Sequence, residues 1–188
     1  MRKKITLVVL AAALTFSLAA CGNAKTETTE ATEATTAAAT SETEMANPWT
    51  DVDTVDKAAE GAEVGYFIVP DNGTETSGGP VNISDFRYMT HLAEAQGTIG
   101  SAELIIRKGL KQESSDVSGD VREFTLEWTQ KVGDFEFKCY GNSEGSAQKL
   151  VWVSDNFSYS VSIHGQGDEA GTYGIDSDAV NTIGLIIQ

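Results

Sequence analysis

The sequence predicts an α+β fold in which an antiparallel β-sheet is packed by an N-terminal and a C-terminal helix, after a signal peptide and a disordered linker. Three observations favour this fold. Beyond residue 46, apolar and polar residues mainly alternate with period two, as in half-buried strands. Two-residue turn sequences separate several of the alternating stretches. Helical spacing of apolar residues occurs near the two ends of this region.

The two helices are predicted from apolar spacing and from residues that can cap them. The first is expected over Asp51–Glu63, with Asp51 or Asp53 as its N-cap. The second is expected near the end of the chain, where Asp176 or Ser177 can cap a helix. Its apolar stripe consists of Val180, Ile183 and Ile187.

The strands are predicted from alternation and from turn residues. The alternation is cleanest in Arg122–Val132, and Gly133-Asp134 is a turn that leads into a partner strand from Phe135. A second hairpin is expected around Asp155-Asn156. Its second strand carries serines on one face, which we expect to be in water because clean alternation is typical of a sheet with one solvated face. The remaining strands are predicted at Val64–Val69, Val81–Leu92, Ala102–Lys108, Leu150–Val153 and Phe157–Ile163.

The first twenty residues have the pattern of a secretory signal peptide. A cationic start, Arg2 to Lys4, precedes an uncharged and mostly apolar run, Ile5–Ala20. This run has 16 residues, whereas a membrane-spanning helix needs about 18 or more. A charged start, a short apolar run and small residues before a boundary are typical of a signal peptide.

The boundary Leu18-Ala19-Ala20-Cys21-Gly22 resembles the lipobox of bacterial lipoproteins. The resemblance implies cleavage between Ala20 and Cys21 and a diacylglyceryl group on the Cys21 thiol, with acylation of its amine as an option. Two or three acyl chains give a stable anchor, whereas one chain binds only marginally. The implied location is the extracytoplasmic face of the cell membrane. The alternative is an ordinary signal peptide that is cut elsewhere and leaves Cys21 free or in a disulfide.

The chain is thus predicted to have three segments: a lipoprotein signal peptide (1–20), a lipidated cysteine with a tether (21–46), and one α+β domain (47–188). The tether is nearly all Thr, Ala, Glu and Ser, so it buries too little apolar surface to fold. As a flexible coil it spans about 25–30 Å. The alternative is a binding arm that folds on a partner.

The charge of the chain excludes one class of partner and favours another. The formal net charge is −15, and loss of the three basic residues of the signal peptide makes it −18. Nucleic-acid binding needs a basic footprint, so it is excluded. An acidic surface is also repelled by anionic membranes, which leaves anchoring to the lipid. It favours cationic ligands and weak calcium binding.

The domain resembles a domain of unknown function found in small Gram-positive lipoproteins and at the extracytoplasmic end of some anti-sigma-factor-like membrane proteins. The resemblance rests on Gly65-Tyr66-Phe67-Ile68-Val69-Pro70, Ile105-Ile106-Arg107-Lys108-Gly109 and Val117-Ser118-Gly119-Asp120, and on the strands of Trp152 and Tyr159 with the terminal helix. It implies a fold and a location, and it supplies no catalytic residues. A sensory or regulatory role in envelope signalling is an alternative that it suggests.

A second alternative is a small envelope hydrolase. Gly141-Asn142-Ser143-Glu144-Gly145 matches G-x-S-x-G, and Asp155 and His164 follow in the order serine, acid, histidine. The nucleophile elbow needs a strand before it and a helix after it, but the predicted neighbours are both strands. The segment is therefore predicted to be a hairpin loop.

The remaining candidate ligand residues give no specific site. The aspartate pairs Asp51/Asp53 and Asp176/Asp178, with Gly167-Asp168-Glu169, offer oxygen ligands but lack the EF-hand pattern. His91 and His164 have no flanking cysteines and are predicted to be surface residues. Cys139 alternates with phenylalanines and is predicted to be a buried small hydrophobe.

We therefore expect a membrane-anchored surface lipoprotein with a non-catalytic binding or interaction domain and no cofactor or metal. Its partners are the lipid bilayer, through Cys21, and an envelope or extracellular ligand for which the charge favours a cation. The expected contact surfaces are the solvated sheet face and the glycine-rich loops near Gly78, Gly97 and Gly145.

Overall fold

A computed structural model of the chain describes residues 47–111, 114–167 and 171–188. The predicted signal peptide, Cys21 and the tether lie outside these residues. In the described part, eight strands form one antiparallel sheet and two helices accompany it, which confirms an α+β domain built on an antiparallel sheet. The described helices include none that is long and apolar enough to cross a membrane.

The strands lie in the order β1-β2-β3-β4-β8-β7-β6-β5. In chain order the elements are β1 (Thr50–Val52), α1 (Val55–Gly61), β2 (Val81–Met89), β3 (Leu92–Ile99), β4 (Ala102–Leu110), β5 (Leu126–Val132), β6 (Phe135–Gly141), β7 (Lys149–Ser154), β8 (Phe157–His164) and α2 (Ser177–Ile186).

Both hairpins predicted from turn residues are confirmed. Gly133 joins β5 to β6 with a φ of 58°, and Asp155 joins β7 to β8 with a φ of 51°. A left-handed backbone at these positions matches the right-handed twist of the flanking strands. Glycine reaches this conformation without strain, and aspartate tolerates it better than most residues.

The main core lies on the face of the sheet that carries Leu104 and Ile106 of β4. These residues pair across the sheet with Ile163 and Val161 of β8, and all four are fully buried. Helix α1 contacts β1, β2 and β3, and helix α2 contacts β5. The buried residues of the two helices are Ala58, Ala59, Ala179, Val180, Ile183 and Gly184.

The opposite face of the sheet is covered by the connection between β4 and β5. Since β4 lies inside the sheet and β5 at its edge, this connection crosses β8, β7 and β6. The Ser114 carbonyl accepts a hydrogen bond from Ser158 Oγ at 2.7 Å, and Asp116 pairs with Lys149 of β7 at 3.1 Å.

The prediction of a solvated serine face is therefore wrong. Ser158, Ser160 and Ser162 are only 0, 1 and 2% exposed. The alternation of the strand is real, but the face opposite the apolar residues is a buried polar layer. The crossing connection supplies its cover, and a non-local connection of this kind is not visible in local periodicity.

The N-terminal part of the domain differs from the prediction in two elements. Residues Thr50–Val52 form a strand on the edge of β2, and α1 begins later, at Val55. Its N-cap is Thr54, whose side chain accepts a hydrogen bond from Lys57 N, so neither Asp51 nor Asp53 caps it. Residues Val64–Val69 form no strand of the sheet, because β1 already occupies that edge of β2.

The predicted strand Val81–Leu92 is confirmed over Val81–Met89 as β2, which ends earlier than predicted and leads into a hairpin with β3. The hairpin turns at Thr90-His91, where His91 has a φ of 59°. The second strand, β3, has the sequence LAEAQGTI, and its alanines and glycine are poor in β-propensity. It is nevertheless central in this half of the sheet, paired with β2 and β4 along its length.

Candidate functional site

A pocket of about 370 Å³ opens at the end of the sheet where β7 turns into β8. Its walls come from the ends of four strands, from the segment that follows α1 and from the residues that follow α2. Backbone hydrogen bonds between Ile68 and Gln188, in both directions, connect the last two of these segments. The lining residues are Tyr66, Lys108, Phe135, Trp152, Ser154, Asp155, Phe157, Tyr159, Ile187 and Gln188.

The sheet register places the centre of this pocket. Lys108 of β4 is opposite Tyr159 of β8, and Tyr159 is opposite Trp152 of β7. The rings of Trp152 and Tyr159 are stacked with centroids 5.1 Å apart, and Phe137 stacks on the other side of Trp152 at 4.1 Å. The aromatic stack therefore crosses β6, β7 and β8, and the Lys108 ammonium on β4 lies at its end.

Lys108 is buried, which is unusual for a charged residue. Its side chain lies among apolar residues, and the residue is 4% exposed. The ammonium donates a hydrogen bond to the Tyr66 carbonyl and lies 4.3 Å from the centroid of the Phe157 ring and 5.2 Å from that of Tyr159. Among the described residues, no carboxylate oxygen lies within ion-pair distance of its Nζ. Burial lowers the pKa of Lys108 from 10.5 to about 8.

The pocket also holds a phenol, that of Tyr159, and a carboxylate, that of Asp155. Burial, with the nearby charge of Asp155, raises the pKa of Tyr159 to about 12, so this phenol is neutral over the physiological range. Asp155 is exposed at the turn. The pocket thus combines a buried cation, a neutral phenol and a carboxylate at its rim.

A second charged cluster, on the opposite face of the sheet, is fully paired. Glu94 is fully buried and accepts hydrogen bonds at 2.5 Å from Arg87 Nε and from Arg107 Nε, and a third from Gln96. The Arg87 guanidinium lies 4.4 Å from the Trp49 ring centroid. Since each charge has its partners, this cluster is suited to hold β2, β3 and β4 together rather than to bind a ligand.

The crossing connection contains two paired aspartates, Asp116 with Lys149 of β7 and Asp120 with Arg122 of the connection itself. Burial acts to raise the pKa of Asp116 and of Asp120, but hydrogen bonds outweigh it and both pKa values are lowered. The hydrogen bonds come from Ser118 and Lys149 to Asp116, and from Arg122 to Asp120. Burial and the neighbouring Arg122 lower the pKa of His164, against the opposing charge of Asp120.

The structure does not bring the hydrolase candidates together. Ser143 lies in the loop between β6 and β7, at the end of the sheet where β8 finishes with His164. Asp155 lies in the β7–β8 turn at the opposite end, and the six residues of β7 that separate the two ends span about 20 Å. Ser143 is flanked by strands, as predicted, and not by the helix that a nucleophile elbow requires.

Two of the aspartates considered as calcium ligands have structural partners. Asp53 pairs with Lys57 at 2.6 Å, and Asp176 is the N-cap of α2, as predicted. Asp168 and Glu169 lie outside the described residues. Within the described ranges, no group of three or more His, Cys, Asp or Glu residues is arranged to hold a metal ion.

The cysteine and histidine predictions have separate outcomes. Cys139 is fully buried, as predicted, and burial raises its pKa to about 11, which makes the thiol unreactive. His91 and His164 are both half-buried, so neither is the plain surface residue that was expected. His91 lies in the β2–β3 turn, with its Nε2 4.0 Å from Glu63 Oε2.

The glycines chosen as markers of contact loops lie in different settings. Gly97 is inside β3, where its missing side chain allows the Asn82 backbone to approach, so the prediction of a loop there is wrong. Gly78 lies in a loop packed against Ile175 and Ile99. Gly145 is in an exposed turn beside a groove of about 490 Å³ that Leu126, Trp128 and Glu144 also line.

Sequence reasoning missed Lys108 as a candidate binding residue, although one signal was available. Lys108 lies two residues after Ile106 in β4 and therefore on the same face of the strand as Ala102, Leu104 and Ile106. Alternation alone thus predicts that Lys108 lies on the apolar face. Its aromatic neighbours come from distant parts of the chain.

Comparison with known proteins gives no relative: no family model, no curated protein and no solved structure matches the chain.

Proposed function

We propose that the chain is a lipid-anchored surface lipoprotein whose domain is a non-catalytic binding module at the extracytoplasmic face of the cell membrane, with the Lys108 pocket as its ligand site. In this proposal the signal peptide is removed, Cys21 carries the lipid, and the acidic tether holds the domain off the bilayer. The two helices cover the apolar face of the sheet beyond the tether. The lipobox and the resemblance to a domain of Gram-positive lipoproteins support this location.

The observation that carries the binding function is the buried ammonium inside an aromatic pocket. A volume of about 370 Å³ falls in the range of about 300–1,000 Å³ that small-molecule sites occupy. Such sites combine an apolar lining with a few polar groups that orient the ligand. A buried charge with no ionic partner among the described residues is a group that a ligand can satisfy.

Two other grooves of the described residues offer less. The groove beside Gly145 is larger, but its polar lining residues, Glu127 and Glu144, are exposed and need no partner. The groove under the crossing connection is lined by Arg107, which is already paired with Glu94. The Lys108 pocket is therefore the site that the geometry favours.

The neutral fluorescent probe N-phenyl-1-naphthylamine tests whether the pocket binds small apolar molecules. The protein is the mature chain, residues 21–188, with Cys21→Ala to remove the lipid and its background. We expect saturable binding with enhanced fluorescence. Ser154→Phe, which fills the pocket from its lining, should abolish this binding.

Glu144→Phe is the matched control, since it adds the same ring at the groove beside Gly145. It should bind the probe as the parent chain does. Absence of saturable binding, or equal binding by Ser154→Phe, would contradict the proposal that this pocket is the ligand site.

A further inference from the structure

We propose that the Lys108 pocket is selective for small organic monocarboxylates with a flat apolar body, the carboxylate pairing with the Lys108 ammonium and the body contacting the aromatic walls. This inference rests on the proposed function and names its ligand class. It also reverses, for this site, the preference for cations that the overall charge of the chain favours.

The sign of the ligand's charge follows from the surroundings of the ammonium. Lys108 is 4% exposed, and the polar partner of its ammonium is a neutral carbonyl, that of Tyr66. A carbonyl and ring faces compensate a buried positive charge incompletely. A carboxylate adds a charge-assisted hydrogen bond, which is stronger than a neutral one. An anionic ligand is therefore favoured over a neutral ligand of the same shape.

The amount of charge on the ligand follows from the charged groups of the lining. Among the described residues, Lys108 is the one cationic side chain that lines the pocket, and Asp155 places a carboxylate at its rim. Phosphate sites usually offer several donors, often arginine forks or a series of backbone N–H groups. A second negative charge on the ligand would lie without a partner and be repelled by Asp155. The site therefore suits a single carboxylate rather than a phosphate.

The body of the ligand follows from the aromatic walls. Two aromatic rings of the lining are unusually open to water, since Tyr66 is 72% exposed and Phe135 is 36% exposed. Phe157 and Ile187 are further apolar residues of the lining. A flat apolar group would cover these rings and contact them by stacking or edge-to-face packing.

Competition against N-phenyl-1-naphthylamine on the mature Cys21→Ala chain tests the charge preference. The competitors are benzoate, its neutral counterpart benzyl alcohol, and inorganic phosphate. At about pH 6.5, where Lys108 is charged, we expect benzoate to displace the probe at a concentration about tenfold lower than benzyl alcohol. Phosphate should not displace it.

Lys108→Met should remove the preference for benzoate while keeping the binding of the probe. Raising the pH to about 9.5 should weaken the preference for benzoate in the parent chain, because the Lys108 ammonium then loses its proton. This measurement needs no variant. Lys138→Met, at an exposed lysine on β6, is the matched control and should keep the preference.

The outcomes separate this inference from the proposed function. A chain that binds the probe but shows no preference for benzoate, or keeps it in Lys108→Met, retains a binding pocket and overturns the assignment of the ligand class. Displacement by phosphate as effective as that by benzoate also overturns it. Failure to bind the probe at all removes both proposals.

Discussion

The ammonium of Lys108 destabilises the unliganded fold, because it is nearly buried and has no carboxylate partner among the described residues. Its pKa of about 8, against 10.5 in an exposed lysine, corresponds to about 3 kcal/mol at neutral pH. A variant without the ammonium would also lose the hydrogen bond to the Tyr66 carbonyl, which costs about 1 kcal/mol of the stability gained by removing the charge. A ligand that supplies the missing charge would relieve this penalty.

Lys108→Met should therefore stabilise the protein by about 2 kcal/mol at pH 7, because an apolar side chain of similar length replaces a buried charge. The unfolded chain binds more protons than the folded one between pH 8 and pH 10.5, so the parent gains stability as the pH rises through this window. The difference in the free energy of unfolding between the parent and Lys108→Met should therefore become smaller as the pH rises. Urea unfolding at several pH values measures it.

Lys138→Met is the control for the loss of a lysine as such. Its side chain is exposed, so its free energy of unfolding should change by no more than about 0.5 kcal/mol. A Lys108→Met variant that is less stable than the parent at pH 7, or a difference that stays constant up to pH 10.5, would contradict the account of the buried ammonium.

At the scale of elements, α2 depends on a cap that joins it to a distant loop. Asp176 Oδ1 accepts hydrogen bonds from Ala179 N at 2.9 Å and from Asp178 N at 3.1 Å, and a further one from Ser77 Oγ at 2.5 Å. These bonds, with that from Ser77 the strongest cause, lower the pKa of Asp176. The cap therefore fixes the start of α2, whose far end leads into Ile187 and Gln188 of the pocket wall.

Asp176→Ala should lower the free energy of unfolding by about 1 kcal/mol, since it leaves the first N–H groups of α2 without an acceptor. Because the folded pKa is below 3.8, the ionic part of this contribution is present above that pH and is lost as the pH falls through the folded value. Denaturant melts at pH 7 and at lower pH measure both effects.

Asp176→Asn keeps an oxygen acceptor and should retain most of the stability at pH 7. Asp178→Asn, in the first turn of the same helix, should have a smaller effect because Asp178 is not the cap. An Asp176→Ala chain as stable as the Asp178→Asn chain would show that the cap does not hold α2.

The elements show which parts of the fold local sequence determines. The hairpins at Gly133 and Asp155 and the cap at Asp176 were predictable, because each depends on residues adjacent in sequence. Strand β3 was not, because alanine and glycine are selected there by close packing between two neighbouring strands. The edge strand β1 was not either, because its pairing with β2 outweighs a helical pattern.

The candidate site was less predictable than the fold. Its lining residues come from four strands and two further segments, and only the register of the finished sheet places Trp152, Tyr159 and Lys108 side by side. The buried serine face was unpredictable for a similar reason, since it depends on where the β4–β5 connection crosses. Alternation gives the two faces of a strand but not what covers them.

At the scale of the whole molecule, both faces of the sheet are covered in part by different means. Apolar side chains of α1 and α2 contribute to the core on one face. On the other, the ion pair of Asp116 with Lys149 and the hydrogen bond from Ser158 to the Ser114 carbonyl hold the connection between β4 and β5. In the proposed function, attachment of this acidic chain to a membrane comes from the lipid on Cys21.

Cys21→Ala should therefore move the protein from the membrane to the aqueous fraction. Two or three acyl chains hold a protein stably on a bilayer, and a chain with a net charge near −18 after processing has no attraction to anionic lipids that could replace them. Detergent phase partitioning of cells labelled with a fatty acid measures both the location and the lipid.

The matched control is Cys139→Ala at the other cysteine of the chain, which is buried in the domain and should leave labelling and partitioning unchanged. A Cys21→Ala chain that still partitions into detergent after removal of its signal peptide, or a parent chain that takes up no fatty acid, would contradict the lipid anchor and leave the binding pocket as a property of a secreted domain.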